Sequence, residues 1–226
     1  VKFQFAISEN ESKSKKKRII RDIIIGARLY GKFLVLHDFL IVTIDGKYHE
    51  VRFYKEDFAH LVGVRSYLND LDFYKNCIKG TIAENNIKDQ QHYDFGTIRK
   101  KIMRITKIHK ICYADAQTNL VLVHLHTKTQ DFPLAIENTH DKMVVAFIGK
   151  DLHARSLRNN NQTNADEKKS ILAIFSKEKN SKSKYSNCIY LKNYGILKDV
   201  CCDLNSKVSV KILNDLDNNN ILNRLS

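Results

Sequence analysis

Apolar positions in the first part of the chain repeat with helical spacing. Ile19, Ile20, Ile23, Ile24 and Leu29 form a stripe behind the basic run Lys13-Ser14-Lys15-Lys16-Lys17-Arg18, which predicts a helix from residue 13 to Gly31 after an extended start over residues 1–10. The period then shortens. Residues 33–44 and 48–54 are rich in β-branched, aromatic and aliphatic side chains, and Asp45-Gly46 between them suits the positive φ of a tight turn, so they predict a β-hairpin. Helical pieces follow over residues 57–67 and 70–79, with Gly63 and Gly80 as stops. From Thr97 to Lys110, Ile98, Ile102, Ile105 and Ile108 mark one face of a further helix.

The second half changes character. Residues 119–127, 132–137, 143–150 and 169–177 combine apolar or β-branched residues with turn-like spacers, the pattern of an antiparallel sheet. Residues 158–168 read as a polar, Asn-rich loop and 177–187 as a flexible Lys/Ser segment, and the apolar pieces at 190–197 and 208–216 as an appended hairpin or helix. No repeat of fixed period and no sustained heptad is present. The expected fold class is α+β, with N-terminal helices and a β-hairpin packed against an antiparallel β-sheet. Three stretches result: a basic helix at 1–32, an α+β domain at 33–180 and a C-terminal extension at 181–226.

Composition narrows the class of function. The 226 residues carry a formal net charge of +13, which attracts nucleic acid, anionic lipid or an acidic protein by the same long-range field. No run of about 18 apolar residues is present and the N-terminus lacks a secretory pattern, so a cytoplasmic protein that does not enter membranes is expected. Cys77, Cys112, Cys188, Cys201 and Cys202 form no Cys-x-x-Cys pair and leave an odd count, which points to reduced, mostly buried thiols. Glycine is scarce, at eight residues, and no phosphate-cradling glycine motif or His-Glu-x-x-His helix occurs. The acids Asp57, Asp94, Asp115, Asp131 and Asp141 are scattered, so neither a cofactor nor a catalytic metal is expected.

Candidate chemistry gathers at three places. In the segment from Val51 to Val64, His60 stands near Arg52, Lys55 and Arg65; cations favour a neutral imidazole, competent as a base, and attract phosphate. On the helix at 97–110, Arg99, Lys100, Lys101, Arg104, Lys107, His109 and Lys110 surround the apolar face with no acid between them, a surface suited to phosphates or simply to water. In His153-Ala154-Arg155-Ser156-Leu157-Arg158, strict alternation puts Ala154, Ser156 and Arg158 on one face, where a hydroxyl and a guanidinium could hold a phosphodiester. His124 and His126 leave one face of their strand as secondary candidates, to bind a metal or to work as an acid and base pair, although no third metal ligand comes from a recognisable motif and a solvated polar face is the commoner explanation.

The order of Phe58-Ala59-His60-Leu61-Val62-Gly63, the basic helix, Ile111-Cys112-Tyr113-Ala114-Asp115, Asn119-Leu120-Val121-Leu122-Val123, Ala154-Arg155-Ser156-Leu157-Arg158 and Ile171-Leu172-Ala173-Ile174-Phe175 resembles the phage-associated branch of the barnase, EndoU, colicin and RelE-like (BECR fold) ribonuclease superfamily. The resemblance spans residues 30–180, and its most specific motif is Phe-x-His-Leu-x-Gly. It implies helices packed on an antiparallel sheet and metal-independent RNA cleavage to a 2′,3′-cyclic phosphate. It also implies His60, Ser156 and Arg158 as catalytic residues. Arg52, Lys55, Arg65, Arg99, Lys101, Arg104 and Arg155 are candidates for contact with nucleic acid by their charge and position, and Arg52, Arg99, Lys101 and Arg104 match no fixed position of the family. A toxin or mobile-element setting, with RNA (alternatively DNA) and an antitoxin or immunity protein as partners, belongs to the same implication. A non-catalytic basic protein that binds nucleic acid is the other reading that the residues leave open.

Overall fold

The computed structural model describes residues 9–88, 95–113, 118–162 and 164–218. Residues 1–8, Asp94, Ala114, Asp115 and the C-terminal residues 219–226 lie outside them, as do the side chains of residues 9–16 and Ile98. The chain is α+β, with the sheet closed into a barrel. Helix α1 (Glu9–Tyr30) widens into a turn of π-helix (Gly31–Val35), and the hairpin β1 (His37–Thr43) and β2 (Tyr48–Arg52) follows. Three helices come next, α2 (Phe58–Val62), α3 (Asp70–Lys79) and α4 (Phe95–Ile105). Five strands then run β3 (Asn119–His126), β4 (Phe132–Asn138), β5 (Met143–Ile148), β6 (His153–Asn159) and β7 (Asn164–Glu178). The chain finishes with β8 (Asn187–Leu191) and the helices α5 (Tyr194–Val200), α6 (Leu204–Lys207) and α7 (Val210–Asp217). The strand order is β1-β2-β6-β5-β4-β3-β7-β8, and β1 also pairs with β7, which closes the sheet.

Local chemistry sets the boundaries. Asn69 caps α3 by accepting a hydrogen bond from the Asp72 amide at 2.9 Å, and Asp70 and Asp72 favour its positive N-terminal end. Gly63 ends α2 in the left-handed region at φ +72°, where a Cβ costs energy. Residues 33–35 belong to the helical turn rather than to the first strand. Leu34 and Val35 enter the core from it, and a short apolar run does not by itself distinguish the two conformations.

One core joins the helices to one face of the sheet. Ile23, Ala27 and Tyr30 of α1, Phe58, Leu61 and Val62 of α2, and Phe73 and Cys77 of α3 meet Phe39, Ile41, Val51, Val145, Phe147, Ala154 and Leu157. Leu40 and Val42 of β1, with Leu172, Ala173 and Phe175 of β7, where the β1–β7 register shifts at Leu172, face a second cluster with Tyr185, Leu197, Cys201, Leu204, Val208 and Leu216. This is why β1 is buried along nearly its whole length. The C-terminal segment therefore supplies an edge strand and the cover for the second face. Cys77, Cys112, Cys188 and Cys201 are buried free thiols, and Cys202 is exposed. No described helix is long and apolar enough to cross a membrane.

Two expectations about the sheet are corrected. The polar stretch at 158–168 is mostly strand, because β6 runs to Asn159 and β7 starts at Asn164; paired on β3, β7 needs no apolar alternation where Glu167 and Lys168 face water. A β-bulge also breaks the alternation in β6. Ser156 pairs with Ala146 while Ala154 pairs with Phe147, so Arg155 is the extra residue. Ala154 and Leu157 consequently share the main core, and only Ser156 and Arg158 remain together, opposite Ala146 and Val144 of a third apolar cluster.

Candidate active site

The bulge lies where the sheet meets the helices. β6 pairs with β2 through the single register Arg52–His153, and α2 and α4 lie against the rest of β6. His60, Lys101 and Arg155 are the candidate side chains that these three elements carry.

His60 occupies the last turn of α2, whose other residues, Phe58, Ala59, Leu61 and Val62, are buried. Its side chain is 39% exposed, and its Nε2 stands 3.5 Å from an Asp70 carboxylate oxygen. Partial burial and, next, the Arg155 guanidinium lower its pKa; Asp70 and Asp57 act in the opposite sense, and Lys101 adds to the lowering. The balance favours the neutral imidazole, the direction that the cation-rich sequence around His60 led one to expect. The cations responsible are different ones, however. Lys55 and Arg65 are exposed, and Arg52 is 3.6 Å from the buried Asp38.

Lys101 packs its stem beneath Gly63, close enough that a Cβ there would lie 2.8 Å from Cδ and 2.9 Å from Nζ. Burial, and then Arg158, push its pKa down to about 8. Among the described residues no carboxylate lies within ion-pair distance of it. Three other cations of the basic segment are committed elsewhere. Arg104 donates to the Lys142 carbonyl at 3.1 Å, and Lys107 and Lys110 pair with Asp141 at 2.5 and 3.5 Å. Arg99 stays exposed. The helix carries no acid of its own, but the β4–β5 turn brings one to it.

Ser156 and Arg158 form a second, linked group. Arg158 Nε donates to Ser156 Oγ at 3.1 Å, its Nη2 donates to Thr129 Oγ1 at 2.9 Å, and its guanidinium lies 5.7 Å from the Phe132 ring centroid. No hydrogen bond or ion pair joins either residue to His60. Lys101 connects the two groups electrostatically, since it feels Arg158 and is felt by His60.

Two residues absent from the sequence-level set stand at the entrance to α2. His153 Nδ1 lies 3.0 and 3.1 Å from the carboxylate oxygens of Asp57, a pair that ties the start of β6 to the start of α2. Burial raises the Asp57 pKa despite His153 and Arg155. Asp57 precedes His60 by one helical turn, a visible spacing, but its partner lies 96 residues away.

His124 and His126 do share a side, and both meet Asp166, at 3.3 and 3.0 Å, with Asp131 3.2 Å from His126. They are exposed, and carboxylates stand at both ring nitrogens of His126 and at Nδ1 of His124. Among the described residues no group of three His, Cys, Asp or Glu side chains gathers as a metal-ligand set. A groove of about 540 Å³ between Val35, His37, Tyr54, Glu178 and Lys179 takes in Lys55 but not His60.

Compared with known proteins, the chain matches no curated protein and no solved structure. Its residues 22–198 match the model of the PBECR4 family, described as phage-Barnase-EndoU-ColicinE5/D-RelE like nuclease4, a span that takes in α2, α4 and β6 together. That span exceeds half of the chain, and the chain belongs to this nuclease family.

Proposed function

We propose that this nuclease is a metal-independent endoribonuclease whose chemistry centres on His60. The observation that supports it is the half-buried His60 on α2, whose pKa burial and, next, Arg155 lower, which favours the base-competent imidazole, with Arg155 and Lys101 as cations for a phosphate beside it. In this reading His60 takes the proton of a ribose 2′-hydroxyl. The freed oxygen attacks the adjacent phosphorus, the bond to the 5′-oxygen breaks, and a 2′,3′-cyclic phosphate is left. Arg155 neutralises the charge of the phosphorane, while Arg158, steadied by Ser156 and Thr129, holds phosphate charge from the other end of β6. The exposed Lys55, Arg65 and Arg99 guide the strand, and an acidic antitoxin or immunity protein would suit the same basic surface.

The test uses RNA in EDTA and the same RNA carrying a 2′-deoxy sugar at one cleaved position. Cleavage should persist in EDTA and stop at the deoxy position alone. RNA that stays intact but binds with strong salt dependence would favour the non-catalytic reading instead.

A further inference from the structure

Building on the reading of His60 as base, we infer that Lys101 is the general acid of the same reaction, the residue that protonates the departing 5′-oxygen. A nuclease of this kind has two proton transfers to perform, and His60 accounts for one. The second requires a donor on the other side of the phosphate. Lys101 comes from a different element, with its amine against Gly63 at the end of the helix that carries His60. Its environment is unusual for a lysine: partly buried, with no carboxylate at ion-pair distance among the described residues, and near further cations. An ammonium held without a counter-ion is costly, and a phosphodiester would supply the missing negative charge.

The groups that face this amine come from every element around it. Arg158 of β6 acts on the amine itself, and the amine acts on His60 of α2, which also feels Arg155 of β6, Asp70 of α3 and Asp57 at the entrance to α2; Lys100 and Arg104 share the amine's own helix. Helix α1 meets α4 at Gly26 and Ile105. Burial and Arg158 bring the amine to a pKa of about 8, whereas burial and Arg155 lower that of His60. Both shifts run downwards: the imidazole is favoured in the form that accepts a proton, while the amine, brought towards the operating pH, still holds one to give at neutral pH. In the step itself the 2′-oxygen–phosphorus bond forms as its proton moves to His60. The phosphorus–5′-oxygen bond breaks as a proton moves from Lys101 Nζ to the leaving oxygen. The products are a 2′,3′-cyclic phosphate, a 5′-hydroxyl, an imidazolium and a neutral amine, and exchange with water restores both side chains.

The decisive comparison uses a normal oligoribonucleotide and one whose bridging 5′-oxygen is replaced by sulfur, a leaving group that needs no proton. Lys101→Gln should slow cleavage of the oxygen substrate by about 10²- to 10⁴-fold and cleave the sulfur substrate at nearly the wild-type rate, while His60→Ala fails on both. Lys101→Arg should move the alkaline limb of the pH–rate profile upwards from about 8. Circular dichroism of each variant reports whether it is folded. Equal slowing of Lys101→Gln on both substrates, or an alkaline limb that Lys101→Arg leaves in place, overturns the assignment of Lys101 alone. A wild-type protein that cleaves neither substrate overturns the ribonuclease reading and this inference with it.

Discussion

Gly63→Ala and Gly80→Ala form a matched pair of perturbations that separates strain in the backbone from damage to the site. Both glycines end helices in the left-handed region, at φ +72° and +76°. Placing alanine there costs roughly 1 kcal/mol at either position. The surroundings differ. A Cβ on Gly80 would come 3.2 Å from Arg28 Nη2, the end of an exposed side chain that can swing away. A Cβ on Gly63 would stand 2.8 Å from Lys101 Cδ, inside normal contact, so the packed stem and its amine must shift. Each variant should thus unfold a few degrees below wild type, about 2–4 °C per kcal/mol for a chain of this size. A domain stable by about 5–15 kcal/mol stays folded at 25 °C after such a loss. RNA cleavage should part them, with Gly80→Ala near wild type and Gly63→Ala reduced by up to about 100-fold, the effect of moving a catalytic group by about 1 Å. Thermal unfolding followed by circular dichroism gives the first quantity, and cleavage of an end-labelled oligoribonucleotide at 25 °C gives the second. Equal cleavage rates for the two variants at matched stability would refute the argument that Lys101 must sit against Gly63 for the reaction.

Other outcomes follow from the same electrostatics. In an NMR titration of the His60 ring, Arg155→Met should raise its pKa and Asp70→Asn should lower it, because the guanidinium opposes the imidazolium and the carboxylate favours it. Asp141→Asn should lose roughly 1 kcal/mol at pH 7 in urea unfolding, through the two lysine pairs. Burial works against ionisation of Asp141, but Lys107 and Lys110 hold its carboxyl below the usual range. Its contribution is therefore present above the unfolded value of about 3.9 and vanishes as pH falls through the lower folded value; wild type and Asp141→Asn should converge there. Asp57→Asn should destabilise the protein by about 1–3 kcal/mol, since it leaves His153 without its charged partner at the one β2–β6 pairing.

The parts of the fold that the sequence made legible were those with local causes. Asp45-Gly46 announced the hairpin, Gly80 marked the end of α3, and the strands β3 to β5 were found within two residues of their ends because their alternation is local. What escaped depends on partners distant in the chain. The bulge at Arg155 is a mismatch between β5 and β6 and has no mark in β6 alone. The apolar second face of β1 was present in Leu40 and Val42, yet nothing nearby told that residues beyond 185 would cover it. At the site, His60 was legible as a histidine among cations. Arg52 was not legible as the partner of Asp38, nor Lys101 as a cation without an acid, because the two differ only in tertiary surroundings.

The central claim is that His60 drives metal-independent cleavage of RNA. Wild-type and His60→Ala proteins, both shown to be folded, are incubated with RNA in excess EDTA, and the new 3′ ends are analysed chemically. The account predicts 2′,3′-cyclic phosphate ends with the wild-type protein and none with His60→Ala. Fragments formed equally well by both proteins, or cleavage that EDTA abolishes, would contradict it.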